Sequence, residues 1–260
     1  MQLHFYKYQG TGNDFIILDN RKDEYSGLST QQVNFLCNRR FGIGADGLML
    51  LNSASGHDFE MKYYNADGRA GSMCGNGGRC LVKFAYHMGI HKTMYLFTAS
   101  DGDHEAEIDL DGTVSLKMRD VPRIKKYNAD LTLDTGSPHY IKMVSDIDHY
   151  DVLKTGRAIR NSDYFVKEGI NVDFVEQVGE DEIFVRTYER GVEDETLSCG
   201  TGVTAAAIAC YHNENGFNDV MVHTKGGRLN VDYDRNDDGS YINVWLSGPA
   251  ERVYQGMLLM

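Results

Sequence analysis

The sequence repeats itself once, at an offset of about 125 residues, and this repeat limits the folds that the chain can adopt. MCGNGGRC around Cys74 and SCGTGVTA around Cys199 are 125 positions apart. GTGNDFIIL matches DTGSPHYIKM, GIGADGLML matches EGINVDFVE, and FTASDGDHEAEI matches HTKGGRLNVDY at nearly the same offset. A period this long indicates a duplicated domain, because solenoid repeats are about 20–50 residues long. We predict two copies of one unit, at residues 1–119 and 120–248.

Both copies have the same predicted order of elements. β-rich stretches such as LHFYKY, DFIILD and EMKYYN precede one apolar helix, and further strands follow it. The helix from Gly75 has one apolar stripe, whereas the helix from Gly200, GTGVTAAAIACYH, is apolar on nearly all sides and should be buried. Shorter polar helices are predicted around 29–40 and 151–161. Because the strands do not alternate regularly with helices, we predict an α+β fold with strands wrapped around one central helix in each copy.

Charge and cysteine content exclude several classes of partner. The net charge of −12 argues against nucleic acids and anionic membranes as main partners. The start MQLHFYKYQG has no secretory pattern, and no apolar run reaches the roughly 18 residues of a membrane span. The five cysteines fit a fully paired disulfide framework poorly because their number is odd. We therefore predict a cytoplasmic protein with reduced thiols.

Each repeated cysteine directly precedes a glycine-rich helix start. Free backbone N–H groups and the positive end of the helix dipole favour the thiolate there, so we expect thiol pKa values below the free value of about 8.5. The glycines allow close backbone approach and direct N–H groups at an anion. A single turn of this kind is explained equally well by a structural helix start with a buried cysteine. Two of them at equivalent positions favour a functional site.

A pair of such thiols suits inversion at a carbon centre. We expect the two helix N-termini to face each other across the domain interface and to bind one carboxylate. One thiolate would remove a proton from a tetrahedral carbon, and the opposite thiol would return one to the other face. Preorganised N–H groups and exclusion of water must stabilise the carbanion. The glycines have no phosphate-loop lysine, and the spacing of residues 74–80 is not that of a zinc site, so we expect neither a nucleotide nor a metal there.

Five motifs along the chain resemble those of the diaminopimelate epimerases: GTGNDF, YNADG, MCGNGGRC, YERG and CGTG, in this order. The resemblance covers essentially the whole chain. It implies two similar domains, the first completed by about residues 249–260. It also implies cofactor-independent, two-base interconversion of LL- and meso-2,6-diaminopimelate, a small-molecule substrate in lysine and peptidoglycan precursor biosynthesis.

The resemblance also implies roles for individual residues. Cys74 and Cys199 would be the acid–base pair. Arg190 would be the bidentate partner of the distal carboxylate, and Glu189 would bind an ammonium group and modulate a thiol pKa. His139 resembles the histidine that the family places near its catalytic cysteines, where it would also modulate a thiol pKa. The residues that would hold the reacting carboxylate are Gly75, Asn76, Gly200 and Thr201, and those that would contact the rest of the substrate are Asn13, Asn65, Asn171, Glu189 and Arg190.

Two departures from the family pattern affect the expected contacts. Gly47 stands where the family usually has glutamine, and Ser137 stands where it usually has asparagine. Simpler interpretations also remain open for three site residues. Asn65 is typical of a turn, His139 of a partly exposed loop, and Arg190 of a surface cation paired with the acidic EDE that follows it.

Alternative functions also remain open at this point. A proline or hydroxyproline racemase-like isomerase is the nearest alternative, although its ring substrate has no distal carboxylate. A thiol–disulfide oxidoreductase and an amino-acid binding module are less favoured. We expect a homodimer. The other cysteines, at positions 37, 80 and 210, are expected to pack in the core, and DRNDDG at 234–239 is expected to be a hairpin tip.

Overall fold

The computed structural model describes residues 2–210 and 215–260. The chain divides into two compact units. One unit comprises the described residues up to Leu116 together with Gly248–Met260, and the other comprises those of Lys117–Ser247. The copy boundaries derived from the repeat, and the facing of the two helix N-termini, stay predictions.

The first unit is a mixed sheet with two helices, as the sequence predicts. Neighbouring strands pair in chain order from the first to the seventh; the second and third strands are parallel, as are the fourth and fifth, and the other pairs are antiparallel. A helix lies in the connection of each parallel pair. In chain order the elements are β1 (Gln2–Gly10), β2 (Asn13–Asp19), α1 (Thr30–Cys37), β3 (Gly47–Asn52), β4 (Phe59–Asn65), α2 (Gly75–His87), β5 (Met94–Ala99), β6 (Gly102–Ile108) and β7 (Val114–Lys117).

The second unit repeats this arrangement. Its elements are β8 (Lys125–Tyr127), β9 (Asp130–Asp134), β10 (Pro138–Met143), a 3-10 turn (Ile147–His149), α3 (Val152–Arg160), β11 (Asn171–Gln177), β12 (Glu182–Glu189), β13 (Asp194–Thr196), α4 (Gly200–Cys210), β14 (Gly216–Thr224), β15 (Gly227–Arg235) and β16 (Tyr241–Gly248). The parallel pairs are β10–β11 and β12–β14, with α3 and α4 in their connections. Thus β10, β11 and β12 correspond to β2, β3 and β4. The last strand, β17 (Glu251–Leu259), pairs antiparallel with β1.

The two long helices are the buried centres of their units. The apolar stripe predicted for α2 is confirmed, since Leu81 and Phe84 are both fully buried. The prediction for α4 is also confirmed, because nearly every residue from Gly200 to Ile208 is buried; the predicted continuation through Tyr211 and His212 lies outside the described residues. Among the described residues, no helix is long and apolar enough to cross a membrane.

Most of the smaller structural predictions are confirmed as well. The two polar helices are α1 and α3, and α1 begins with a capping box formed by Ser29 and Gln32. Residues 236–240 form the turn between β15 and β16. Cys37 and Cys80 are buried, which confirms the prediction of core packing for both, whereas Cys210 at the end of α4 is only half-buried. All five cysteines lie in the described part of the chain, and none forms a disulfide.

Candidate active site

Cys74 occupies the N-cap of α2, where an extended backbone (φ −104°, ψ 127°) leads into the first turn. The next four residues are Gly-Asn-Gly-Gly, and all four are buried. The Cys74 thiol is half-buried, and its Sγ lies 3.6 Å from Oδ1 of Asn13 at the start of β2. The first N–H groups of a helix have no partner within the helix, so an anion bound beside this thiol meets backbone donors. This first half-site therefore combines a thiol with donors for a carboxylate.

Asparagine side chains connect the thiol to the sheet. Oδ1 of Asn13 lies 3.5 Å from Nδ2 of Asn76, and Nδ2 of Asn13 donates to Asp46 at 2.6 Å. Asn65 ends β4 opposite Gly47 of β3. The Asn65 backbone begins the turn NADG, so the interpretation as a turn residue is correct for the backbone. The Asn65 side chain is exposed and therefore accessible to a ligand. The structure thus brings Asn13 and Asn76 directly to Cys74 and places Asn65 at the end of a nearby strand.

The ring of Tyr63 fills the space that a side chain at position 47 would occupy. A β-carbon built on Gly47 would lie 2.4 Å from Cε2 and 2.7 Å from the hydroxyl oxygen of Tyr63, and one built on Gly71 would lie 2.7 Å from Cδ1 of the same ring. Tyr63 is two residues before Asn65 on β4, so both side chains leave the same face of the sheet. Gly47 and Tyr63 are therefore a matched pair, in which a phenol stands where the family pattern leads us to expect an amide side chain.

This matched pair gives a stability prediction. We expect Gly47→Gln to lower the free energy of unfolding by about 1–3 kcal/mol, because the new side chain overlaps the Tyr63 ring. In the double variant Gly47→Gln/Tyr63→Ala the ring is absent, so part of the lost stability should be recovered. Urea unfolding of the two single variants and the double variant gives the interaction energy between the two positions. Gly27→Gln is the control, since a β-carbon there meets no atom within 4 Å. A Gly47→Gln protein as stable as the wild type would contradict the overlap.

Arg79 is a buried cation of the first half-site that our sequence predictions did not include. Its side chain is fully buried in α2, and its Nη2 donates to Oδ1 of Asn76 at 2.9 Å. This bond fixes the Asn76 amide so that its Nδ2 is directed at Asn13. Burial lowers the pKa of the guanidinium, and the nearby Cys80 and Cys74 act in the opposite direction. The spacing in the sequence indicates its position, because Arg79 follows the buried Gly75 by one helical turn and therefore lies on the same face of α2.

Cys199 directly precedes α4, as Cys74 precedes α2. It is 9% exposed, and its carbonyl accepts the N–H of Val203. Burial raises the pKa of the Cys199 thiol well above its usual value and Glu189 and Asp173 raise it further, whereas the N–H of Gly202 and a neighbouring hydroxyl lower it. The expectation of a lowered pKa is therefore wrong for this thiol, because desolvation outweighs the helix terminus. Cys199 is consequently a protonated thiol near neutral pH and suits the role of proton donor.

His139 is fully buried on β10, so the interpretation as a partly exposed loop residue is wrong. Its Nδ1 lies 2.6 Å from Oδ2 of Asp173 on the neighbouring β11. Its Nε2 lies 2.9 Å from Oγ1 of Thr201 in the first turn of α4, and this oxygen lies 3.5 Å from Sγ of Cys199. The structure therefore connects His139 to a cysteine through one hydroxyl group. Sequence reasoning missed Asp173, although a carboxylate in the otherwise apolar run NVDFV is a signal of a buried polar contact.

Asn171, Ser137 and Arg190 form one hydrogen-bonded group. Nδ2 of Asn171 donates to Oγ of Ser137 at 2.9 Å, and its Oδ1 accepts the backbone N–H of Arg190 at 2.8 Å. The Arg190 guanidinium donates to Oγ of Ser137 at 3.2 Å and to the carbonyl of Glu168 at 3.0 Å. Ser137 thus keeps a polar link at the position where the family usually has asparagine. Both partners are neutral oxygens, and no ion pair among the described residues includes Arg190, so its positive charge suits a carboxylate ligand.

The acidic residues after Arg190 pair with other cations. Glu193 lies 3.4 Å from Arg160, and Glu195 lies 2.6 Å from Arg186 and 2.9 Å from Lys225. The interpretation of Arg190 as a partner of EDE is therefore wrong for these two carboxylates.

Each unit by itself brings together the parts for binding a carboxylate beside a thiol. The second unit also carries Glu189 at the end of β12, where its charge raises the pKa of Cys199, and Arg190 follows it directly. Within residues 2–210 and 215–260, no group of three His, Cys, Asp or Glu side chains has the arrangement of a metal site.

Comparison with known proteins supplies the family. The model of the family described as diaminopimelate epimerase matches residues 5–124 and 131–253. The diaminopimelate epimerase of Flavobacterium psychrophilum is 45% identical over 97% of this chain and 99% of that protein. That of Chlorobaculum tepidum is 43% identical over 96% of this chain and 99% of that protein.

Solved structures show the same fold at low sequence identity. A PhzF-family phenazine biosynthesis protein of Bacillus anthracis has a TM-score of 0.78 at 15% identity, covering all of both chains. A hydroxyproline epimerase of Agrobacterium vitis has a TM-score of 0.68 at 13% identity, covering 99% of this chain and 92% of that one.

Proposed function

The chain belongs to the diaminopimelate epimerase family, and from this membership we propose how its two cysteines carry out the reaction. The protein is an isomerase that interconverts LL- and meso-2,6-diaminopimelate. We assign Cys74 and Cys199 as the two proton carriers, one for each face of the reacting α-carbon. The observation that carries this assignment is that both units place a cysteine directly before a helix whose first turn is glycine-rich and mostly buried.

Binding of the substrate uses both of its ends. The reacting carboxylate is held by the backbone donors that begin α2 and α4, at Gly75, Asn76, Gly200 and Thr201. Arg190 holds the distal carboxylate, since its geometry allows two parallel hydrogen bonds to a carboxylate. Glu189 binds an ammonium group. The other contacts in this proposal are Asn13, Asn65 and Asn171.

Proton transfer uses one cysteine as a thiolate and the other as a thiol. In one direction a Cys74 thiolate removes the α-proton, and the protonated thiol of Cys199 returns a proton to the opposite face. The reverse direction exchanges the two roles. Backbone donors stabilise the carbanion because they point at the carboxylate onto which its charge is delocalised. Burial raises the pKa of the Cys199 thiol, which favours its protonated form as the proton donor in this direction.

The activity is tested directly by incubating purified protein with LL-diaminopimelate and separating the stereoisomers by chiral chromatography. We expect the meso isomer to form until both are present at equilibrium, without added metal or cofactor. L-Proline and trans-4-hydroxy-L-proline are the control substrates, because they lack the distal carboxylate that Arg190 binds. Inversion of proline with no turnover of diaminopimelate would favour the racemase-like alternative and contradict this proposal.

We further propose that the protein acts as a homodimer in the cytoplasm. An odd cysteine count supports a reducing compartment. Exposed apolar side chains on β17, namely Val253, Met257 and Leu259, support self-association. Sedimentation equilibrium measures the mass, and a monomer at assay concentrations would contradict the dimer.

A further inference from the structure

A chain of buried polar groups runs beneath the N-terminus of α4. The carboxylate of Asp173 bonds His139, the other ring nitrogen of His139 bonds Thr201, and the hydroxyl of Thr201 lies beside the Cys199 sulfur, with successive distances of 2.6, 2.9 and 3.5 Å. Asp173 and His139 are both completely buried. The second carboxylate oxygen of Asp173 accepts the hydroxyl of Thr187 at 2.7 Å. The helix lies directly on this carboxylate, because a β-carbon at Gly202 would be 2.4 Å from Oδ1.

These contacts determine where the protons lie. A carboxylate only accepts hydrogen bonds, so the ring nitrogen that faces Asp173 carries a proton. The opposite nitrogen, Nε2 of His139, is then the acceptor in the neutral ring and takes the hydroxyl proton of Thr201. The oxygen of Thr201 is left to accept the S–H of Cys199. Asp173 thus sets the direction of every hydrogen bond as far as the thiol.

The first unit shows that the fold does not require this network. In the matching register, β2, β3 and β4 carry Phe15, Met49 and Tyr63 where the second unit has His139, Asp173 and Thr187. Phe15 and Met49 are completely buried. Buried polar groups cost free energy that apolar packing avoids. One unit therefore has buried apolar side chains at the first two of these positions and a half-buried phenol at the third. The buried ionisable pair at the first two positions of the other unit calls for a functional explanation.

We propose that Asp173 is a positioning residue of the isomerase, acting through His139 and Thr201 on the proton of Cys199. In the step we infer, the S–H bond of Cys199 breaks as its proton moves to Oγ1 of Thr201. The hydroxyl proton of Thr201 moves to Nε2 of His139 in the same event. The products are a thiolate and an imidazolium that the Asp173 carboxylate stabilises, and the reverse movement restores the thiol. This inference rests on the proposed function.

Asp173→Asn tests the charge while conserving the shape. The amide oxygen can still accept from Nδ1 of His139, and the amide nitrogen can donate to Thr187, but the imidazolium loses its counter-charge. We expect kcat to fall roughly 100-fold, the lower end of the contribution of a positioned proton-transfer group, with KM little changed. Asp130→Asn is the matched control, because Asp130 is a carboxylate of the same unit that bonds Tyr140 and Lys142 instead. Wild-type kcat in Asp173→Asn, or a rise in KM equal to the loss in kcat, would overturn the proposal.

Thr201 provides a second test that leaves the buried charge in place. Thr201→Val is nearly isosteric and removes the hydroxyl link, so it should lower kcat, whereas Thr201→Ser keeps the link and should retain most of it. Equal activities of these two variants would overturn the relay.

A spectroscopic readout is independent of turnover. In protein with ¹⁵N-labelled histidine, the His139 ring should show a protonated Nδ1 and an acceptor Nε2, and Asp173→Leu should move the proton to Nε2. The signal is assigned by its loss in His139→Gln. A wild-type ring protonated on Nε2 alone would overturn the role of Asp173. If the wild type did not isomerise diaminopimelate, the proposed function would fail while this ring signal still tested the hydrogen-bond direction.

Discussion

Replacing either Cys74 or Cys199 by alanine is expected to lower kcat for epimerisation by about 10⁴-fold, the upper end of the contribution of a positioned acid or base. Each face of the α-carbon needs its own proton carrier. Because Cys199 is only 9% exposed, we expect that solvent does not replace its thiol as a proton carrier. The loss should be in kcat, because the backbone donors for the carboxylate remain. Steady-state kinetics in both directions measure it, and circular dichroism checks that the variants fold.

Cys210 provides the matched control for this experiment. It is the last residue of α4, the helix that follows Cys199, and it is half-buried. Cys210→Ala should keep the wild-type kcat. A Cys199→Ala or Cys74→Ala enzyme that retained most of its kcat would remove that residue from the pair of proton carriers.

Changes at Arg190 are expected to weaken transition-state binding of diaminopimelate strongly. Arg190→Lys keeps the charge but loses the paired geometry. We expect kcat/KM to fall by a factor that corresponds to a loss of about 1.5–3 kcal/mol in transition-state binding. Arg190→Ala should cost more, because the bound carboxylate then has no counter-charge. Part of the loss should appear in kcat, since binding at the distal end holds the reacting carbon in place.

Arg160 distinguishes recognition from packing in that experiment. A β-carbon built on Gly169 would lie 2.7 Å from Cδ of Arg190 and 2.8 Å from Cζ of Arg160, so both arginines pack at the same glycine. Arg160 differs in being paired with Glu193. Arg160→Lys should therefore leave kcat/KM unchanged. An unchanged kcat/KM in Arg190→Ala would exclude Arg190 from the substrate site.

The fold was predictable where the signal was local or repeated. The periodic apolar residues of α2 and the all-apolar composition of α4 predicted their burial correctly, because helix burial follows from spacing along the chain. The repeat added the order of the strands, since one copy serves as the template for the other. The family resemblance supplied the expected roles of the site residues, and these roles stay predictions.

The unpredicted features depend on contacts between distant parts of the chain. The raised pKa of Cys199 follows from desolvation and from carboxylates on neighbouring strands, whereas the sequence shows only the helix start. The overlap of Tyr63 with position 47 depends on the register of β3 and β4. Asp173 becomes significant only when β10 and β11 place it against His139. Register and burial are tertiary properties, so single-sequence reasoning does not determine them.

Solvent labelling tests the assignment of one proton carrier to each face most directly. LL-diaminopimelate is converted in deuterated water to low conversion, and the isomers are separated and analysed by mass spectrometry. If two different thiols serve the two faces, the meso product carries one deuterium at the inverted carbon while the recovered LL substrate carries none. Product that retains protium at the inverted carbon, or substrate that gains deuterium as fast as product forms, would contradict the two-thiol account.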